Sequence, residues 1–388
     1  MDNSITHSLD ASIEARPVIG VPAGCYVHVP FCLQKCRYCA FYSETHAYDH
    51  AMWARAVISE ARMLCSTFGS FDSLYFGGGT PSVLSDELLE ELLVGIRGEL
   101  KFCGDVETTI ELNPGDVDLA RARRLRAMGF NRASLGVQSF DDHVLSFLGR
   151  RHDRKRAISA YEALRGAGFD NVGVDLIWGV PHAGLRSVDS ARFALELLPE
   201  HLSCYSLTVE SGTLLHSDVE AGRVGKVSDD ALSEEALELW GVIGERGYEH
   251  YEVSNFARTR EYRSRHNSKY WAHVPYLGLG PSAHSFDGLC CRWGNVRSVS
   301  GYVEALFAGS RAVEFEERLS EGQLLLERVM LGIRTSEGVC RELVSGSGLS
   351  GLVSAGLVVE GGSTVVPTER GMLVADALAG ALAGGLEE

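Results

Sequence analysis

The sequence predicts an α/β protein built on a parallel sheet, and three observations carry that expectation. First, six short apolar or β-branched runs, Cys25–Pro30, Ser73–Gly79, Val106–Asn113, Arg132–Ser139, Asn171–Val180 and His201–Glu210, each end in Gly, Pro or a polar residue. Second, amphipathic stretches such as Asp86–Leu100 and Leu119–Met128 separate them, the latter stopped by Gly129. Alternation of strand and helix means parallel strands with crossover helices. Six units fit either a partial (β/α)6 barrel or an open doubly wound sheet, and periodicity does not choose between them. Third, the polar residues gather at the carboxyl ends of the runs. His28 and three cysteines follow the first, Gly77–Pro81 the second; Glu111 lies near the end of the third, Gln138 ends the fourth and Asp175 lies within the fifth. That is where parallel α/β folds place their function.

From about residue 315 the pattern changes. A helical stretch, Glu321–Ile333, precedes two short runs, Leu357–Glu360 and Thr364–Pro367, around Gly361–Ser363. Helix followed by β-hairpin reads as a small winged-helix-like module. DNA binding is disfavoured, because residues 320–388 hold four basic and nine acidic residues. The expected division is a tail over 1–24, a core over 25–250, a connecting segment over 251–314 and a small C-terminal domain over 315–388.

At 388 residues, with 45% hydrophobic and 23% charged residues, the chain supports a sizeable core. Its net charge of −16 repels phosphate backbones and anionic lipid, so nucleic acid is not an expected partner. The local group Arg121, Arg123, Arg124 and Arg126 reads as a solvated helix face. No apolar run is long enough to span a membrane, which leaves peripheral contact at most. The first 24 residues carry Asp2, Asp10, Glu14 and Arg16 without an apolar stretch, unlike a secretory leader. The cytoplasm is therefore expected, and the 10 cysteines read as thiols or metal ligands rather than disulfides.

Three of those cysteines are special. Cys32, Cys36 and Cys39 form C-x3-C-x2-C, a loop able to wrap three corners of an iron–sulfur cubane and leave one iron open. A zinc site completed by His28 or His46 is the competing reading of the spacing.

Tyr26-Val27-His28-Val29-Pro30-Phe31-Cys32 and the rest of the loop resemble the opening motif of the oxygen-independent coproporphyrinogen III oxidase family, within the radical S-adenosylmethionine (SAM) superfamily. Gly77-Gly78-Gly79-Thr80-Pro81, Glu111-Leu112-Asn113-Pro114, Gly136-Val137-Gln138-Ser139-Phe140 and Asp175-Leu176-Ile177-Trp178-Gly179-Val180-Pro181 match in family order. The resemblance implies a partial (β/α)6 radical SAM barrel with a small C-terminal winged-helix-like domain. It also implies a [4Fe–4S] cluster on Cys32, Cys36 and Cys39, whose open iron is chelated by SAM. By the same resemblance Tyr26, Gly78, Gly79, Thr80, Glu111, Gln138, Arg150 and Asp175 line the SAM pocket. Chemically, an Arg pairs with the SAM carboxylate, and carboxylates take ribose hydroxyls or offset the sulfonium. Arg151 adjoins Arg150, so the register there is open by one. Tyr38 is an aromatic lid on cluster or adenine, or plain core packing.

Two departures separate the chain from the oxidases proper. Phe41 stands where they carry a further cysteine, and only about 24 residues precede Tyr26. Downstream, His266-Asn267-Ser268-Lys269-Tyr270-Trp271 resembles the H-N-x-x-Y-W motif of the heme-chaperone branch, in which the histidine is associated with heme. The resemblance thus implies a chaperone carrying heme to an acceptor protein, with His266 as axial ligand. Radical oxidative decarboxylation of coproporphyrinogen III is the alternative, and a radical SAM enzyme of other substrate, with His266 structural, is a third.

Overall fold

The computed structural model describes residues 20–46, 48–181, 186–344 and 346–383; the expected tail lies outside them up to residue 19, as do residues 384–388 of the Ala/Gly-rich end. Six strands form the frame: β1 (Ala23–Val29), β2 (Phe71–Gly78), β3 (Phe102–Leu112), β4 (Arg132–Gln138), β5 (Val172–Trp178) and β6 (His201–Ser206). They pair in sequence order, all parallel. Crossover helices include His50–Met63, Asp86–Glu99, Leu119–Met128, Arg154–Gly166 and Ser187–Glu196. Their ends follow local chemistry. Ser85 and Asp118 accept N-cap bonds from Leu88 and Arg121, and Gly129 closes the third helix at φ 105°. Arg121 and Arg124 of the basic group pair with Asp86, tying two neighbouring crossover helices together.

Residues 249–318, to which sequence reading assigned no strands, extend the sheet at both edges. β7 (Glu249–Glu252) and β8 (Asn255–Ala257) run antiparallel beyond β6, while β9 (Tyr276–Leu279) pairs parallel with β1. β10 (His284–Phe286), β11 (Cys291–Asn295) and β12 (Val313–Arg318) continue outward in antiparallel steps. The twelve-stranded sheet has β12 and β7 at its ends, so it is open and not a closed barrel.

The two faces of the frame differ. Val27, Val29, Leu74, Phe76, Ile110 and Leu112 point to the helices and are buried. The alternate positions carry Tyr26, His28, Tyr75, Glu111, Ser134 and Asp175, since strand side chains alternate faces. Buried Glu60 of the first crossover helix fixes the β9 side, accepting from Gly280 N–H (2.9 Å), Asn295 Nδ2 (2.7 Å) and Tyr302 OH (2.6 Å).

A separate core cluster, including Val329, Ile333, Val358, Val365 and Leu382, belongs to the C-terminal helices and the sheet β13 (Val339–Cys340), β15 (Thr364–Pro367), β14 (Val358–Gly361). The helix and hairpin expected there are present. Val253 N–H to Arg334 O (2.9 Å) and Ser336 N–H to Tyr251 O (3.0 Å) join this unit to the sheet beside β7.

Gly278 of β9 sits against backbone: a Cβ there would lie 2.3 Å from His284 O. Gly278→Ala should cost about 1–3 kcal/mol from forced backbone shifts, read as a lower denaturant midpoint. An unchanged midpoint would contradict the packing of β9 on β10.

Candidate functional site

The cysteine loop leaves the end of β1 and is held from three sides. Cys32 N–H donates to Glu44 O (3.0 Å), Arg37 N–H to Leu148 O (3.3 Å), and Arg37 O accepts from Leu215 N–H (2.8 Å). Arg37 also forms an ion pair with Asp218. Cys32, Cys36 and Cys39 are partly exposed and free of disulfides. Burial pushes the Cys39 thiol up, against the pull of the Phe41 backbone N–H.

The loop caps a cavity of about 690 Å³, within the range of about 300–1,000 Å³ that takes cofactor-sized ligands. Cys32, Cys36, Cys39, Tyr38, Gly78, Gly79, Thr80, Glu111, Gln138, Arg150 and Asp175 all line it. Strand ends far apart in the chain, from Gly78 to Asp175, thus supply one wall.

Each side chain has a local reason for its place. Glu111 Oε1 accepts from Tyr75 OH (2.8 Å) and Oε2 from Gly78 N–H (3.2 Å). Burial nevertheless raises its carboxyl to about 7, with nearby Asp175 adding to the rise. Asp175 accepts from Ser134 Oγ (3.0 Å to each oxygen), yet burial raises it too. Gln138 takes φ 67° at a register shift between β4 and β5, a bulge that re-aims its side chain. Arg150 donates from Nη1 to Cys36 Sγ (3.4 Å) and from Nη2 to Gly136 O (2.7 Å), while its buried Nε has no protein partner. Arg151 instead donates to Asp116 (3.0 Å), which settles the register in favour of Arg150 at the cysteines. Tyr38 lies against Arg150 at the edge of a small cluster with Val144, Leu148 and Ile177, so it packs and lines at once.

Three placements add detail to the sequence reading. Gly78 and Gly79 line the cavity with their backbone, and protein fills the space that a side chain on the glycine run would need. A Cβ on Gly77 would meet Glu111 Oε1 at 2.9 Å, on Gly78 the His28 ring at 2.5 Å, and on Gly79 Phe31 O at 2.7 Å. The run lets β1 and β2 converge, with Gly79 N–H donating to Val29 O (2.8 Å) and Thr80 N–H to Phe31 O (2.8 Å). Tyr26 is absent from the lining; its hydroxyl pairs with His28 Nδ1 (3.2 Å) behind it. His266, expected to meet a heme iron, is 1% exposed and outside the cavity. Nδ1 pairs with Ser73 Oγ (3.1 Å) and Nε2 with Tyr270 OH (2.9 Å), which leaves no ring lone pair for iron in this conformation.

Sequence reading missed Tyr75, Arg132, Ser134, His201 and Ser203, all on the lining. Tyr75 lies two residues before Gly77 and Ser134 two before Gly136, so stepping by two from each motif would have found them. It also missed Asn267, which lines the cavity although it belongs to the H-N-x-x-Y-W motif.

The donor chemistry distinguishes metals. Among the described residues, the Cys32, Cys36 and Cys39 sulfurs do not all lie within 4.8 Å of one another. One zinc ion with Zn–S near 2.3 Å needs thiolates about 3.8 Å apart. His28 is already paired at both nitrogens, with Tyr26 OH and Tyr42 O. Three thiols on one short loop at the cavity mouth are the donor type that holds iron–sulfur centres. Asp287, Cys290 and Cys291 do lie within that spacing. However, Asp287 Oδ1 accepts three backbone N–H groups, and Arg318 donates to Cys290 Sγ (3.2 Å). That group closes a turn rather than awaiting a cation.

Comparison with known proteins agrees with the geometry. Residues 26–194 match the family model described as the radical SAM superfamily. The heme chaperone HemW of Mycobacterium tuberculosis is 34% identical over 95% of this chain and 96% of its own length. Those of Bacillus subtilis and Escherichia coli are each 31% identical, over 93% and 92% of this chain and 99% and 97% of theirs. This chain belongs to the HemW family. Its fold is that of the radical SAM enzyme coproporphyrinogen III oxidase (HemN) from Escherichia coli, at TM-score 0.77 and 22% identity, covering 93% of this chain and 89% of that one. This HemW-family chain places Phe41 67% exposed beside the cysteine loop.

Glu111 offers a pH test. Its folded carboxyl sits near 7 against 4.5 for an unperturbed one, so the folded state keeps a proton that the unfolded state releases. Stability from this group is full below 4.5 and lost as pH rises through about 7. The melting temperature of the parent minus that of Glu111→Gln should therefore fall across that window. Parallel profiles would show that the carboxyl is not held protonated.

Proposed function

We propose that this protein is a heme chaperone. In this reading it holds a [4Fe–4S] cluster on Cys32, Cys36 and Cys39, binds SAM in the adjoining cavity, and delivers heme to an acceptor protein. The observation that carries the reading is near-full-length kinship to chains named heme chaperone HemW, together with a cavity lined by the three thiols and the strand-end polar set. A cluster bound by three thiolates supplies an open iron and a transferable electron. Everything else falls to the chain's own groups. The Arg150 guanidinium sets a fixed positive charge beside Cys36 and keeps one N–H for a ligand carboxylate. Glu111 and Asp175 present carboxyls to hydroxyls or to a cationic ligand, and the ionised forms of both are favoured when such a cation arrives. Tyr38 covers the loop side. We take residues 25–250 as the barrel, 251–314 as the connecting segment and 315–388 as the small domain. The cytoplasm is the compartment that suits reduced thiols.

Exposed Phe41 favours the chaperone over the decarboxylase, because an aromatic without redox or ligand chemistry occupies the position of the oxidases' further cysteine.

Anaerobic reconstitution tests the proposal. The parent should bind one cluster per chain, change its electron-paramagnetic spectrum with SAM, and pass heme to an apo-globin. Cys36→Ala should lose the cluster's visible absorbance. Multiple turnovers of coproporphyrinogen III to protoporphyrinogen IX, or no heme binding by the parent, would defeat the chaperone reading.

A further inference from the structure

The helix carrying the H-N-x-x-Y-W motif, Arg265–Trp271, does not approach the open side of the molecule. It enters the amino-terminal end of the frame, and the strands are shaped to receive it. Glu107 of β3 accepts the N–H of Arg265 with Oε2 (3.1 Å) and of His266 with Oε1 (3.1 Å). Lys269 donates to Pro22 O (2.7 Å) and pairs with Asp72 (2.8 Å). On β1 only glycine fits at position 24, where a Cβ would lie 2.9 Å from both His266 Nδ1 and Lys269 Cδ.

The His266 ring is layered against two tyrosines of neighbouring strands, Tyr75 at 5.1 Å and 27°, and Tyr26 at 6.1 Å and 26°. Tyr26 and Tyr75 are register partners one layer above Gly24 and Ser73, whose pairing precedes theirs. The next layer holds His28 and Gly77, with the Glu111 carboxylate against Gly77. A continuous stack therefore runs from His266 through Tyr75 to the Glu111 carboxyl on the cavity wall. The same helix sends Asn267 into the cavity floor.

We infer that His266 is a positioning residue for the cavity: it seals the floor and holds the Tyr75–Glu111 pair in place, and it does not ligate heme iron. This rests on the reading of the cavity as the SAM site. Burial keeps the ring neutral, pushing it down to about 3, with Lys269 adding to the fall. A neutral ring bonded to two hydroxyls is rigid in tautomer and orientation, as a support should be. Removing it leaves the Ser73 and Tyr270 hydroxyls without their partner and frees Tyr75 to drop from Glu111.

The test uses reconstituted, full-length protein and two titrations, SAM read by electron-paramagnetic resonance and heme read by its Soret band. His266→Ala should bind SAM about tenfold more weakly or worse, the size of one buried hydrogen bond lost. The pH midpoint of SAM binding should also move, because Glu111 is faced by Tyr26, Tyr75, Asp175, Tyr205 and Tyr270, and the first two shift with the ring. His266→Gln, which can satisfy one hydroxyl, should recover part of the affinity. Heme affinity and the Soret maximum should match the parent in both. If His266→Ala does not fold, Tyr270→Phe carries the same comparison, since it removes one bond and keeps the ring packing. A parent that shows no response to SAM sinks the SAM reading itself. With a responding parent, a lost or shifted Soret band, or unchanged SAM binding at every pH, overturns the assignment of His266.

Discussion

Where β1 and β2 run out, Gly79 gives its N–H to Val29 and Thr80 to Phe31, and no side chain separates the two strands. The cysteine loop starts from this junction, so its position is set by the approach of the strands. His28 fills the space over Gly78, whose φ of 104° an L side chain rarely adopts. With β1 and β2 fixed, Gly78 N–H reaches Glu111 on β3; Glu111 is the register partner of Ser134, whose hydroxyl bonds Asp175, and Asp175 is the register partner of Ser203. One close contact between backbones thus propagates across six strands.

That wall is electrostatically unfinished. Glu111 and Asp175 are both raised by burial, and neither faces a formal cation within hydrogen-bond distance. Arg150, which does bring positive charge, spends it on Cys36 Sγ and Gly136 O. A pocket that buries two carboxyls beside a guanidinium committed to a thiol is suited to a ligand that is itself zwitterionic or cationic. SAM has that character, which is why the proposed function follows from the charge pattern as well as from kinship.

The floor of the frame shows the opposite economy. Glu107, Ser73, His266, Lys269, Asp72 and Tyr270 satisfy one another. A connected polar layer of this kind is rigid. The C-terminal unit reaches the same region through Glu327, which accepts from Arg292 (2.6 Å) and pairs with His273 (3.0 Å) just after the motif helix. The site end stays open and under-satisfied, whereas the far end is locked.

By itself the sequence determined the frame. Six strands and the helices between them were legible because apolar runs and their stops are local signals, and the residues at strand ends were legible because a parallel sheet collects its carboxyl ends on one side. The grouping of Cys32, Cys36 and Cys39 on one short loop was readable from spacing, and Phe41 from its neighbours. Tertiary structure decided the rest. Whether Gly77–Gly79 leaves room for a ligand depends on His28, Glu111 and Phe31, which approach from elsewhere in the chain. Whether Arg150 or Arg151 faces the cysteines depends on where the turn after the Asp142–Leu148 helix lands. Most of all, the sequence showed a histidine beside aromatics and could not say which end of the sheet it would meet. That was fixed by the path of residues 251–314 and by the glycine at position 24 that admits the ring, contacts made between segments more than two hundred residues apart.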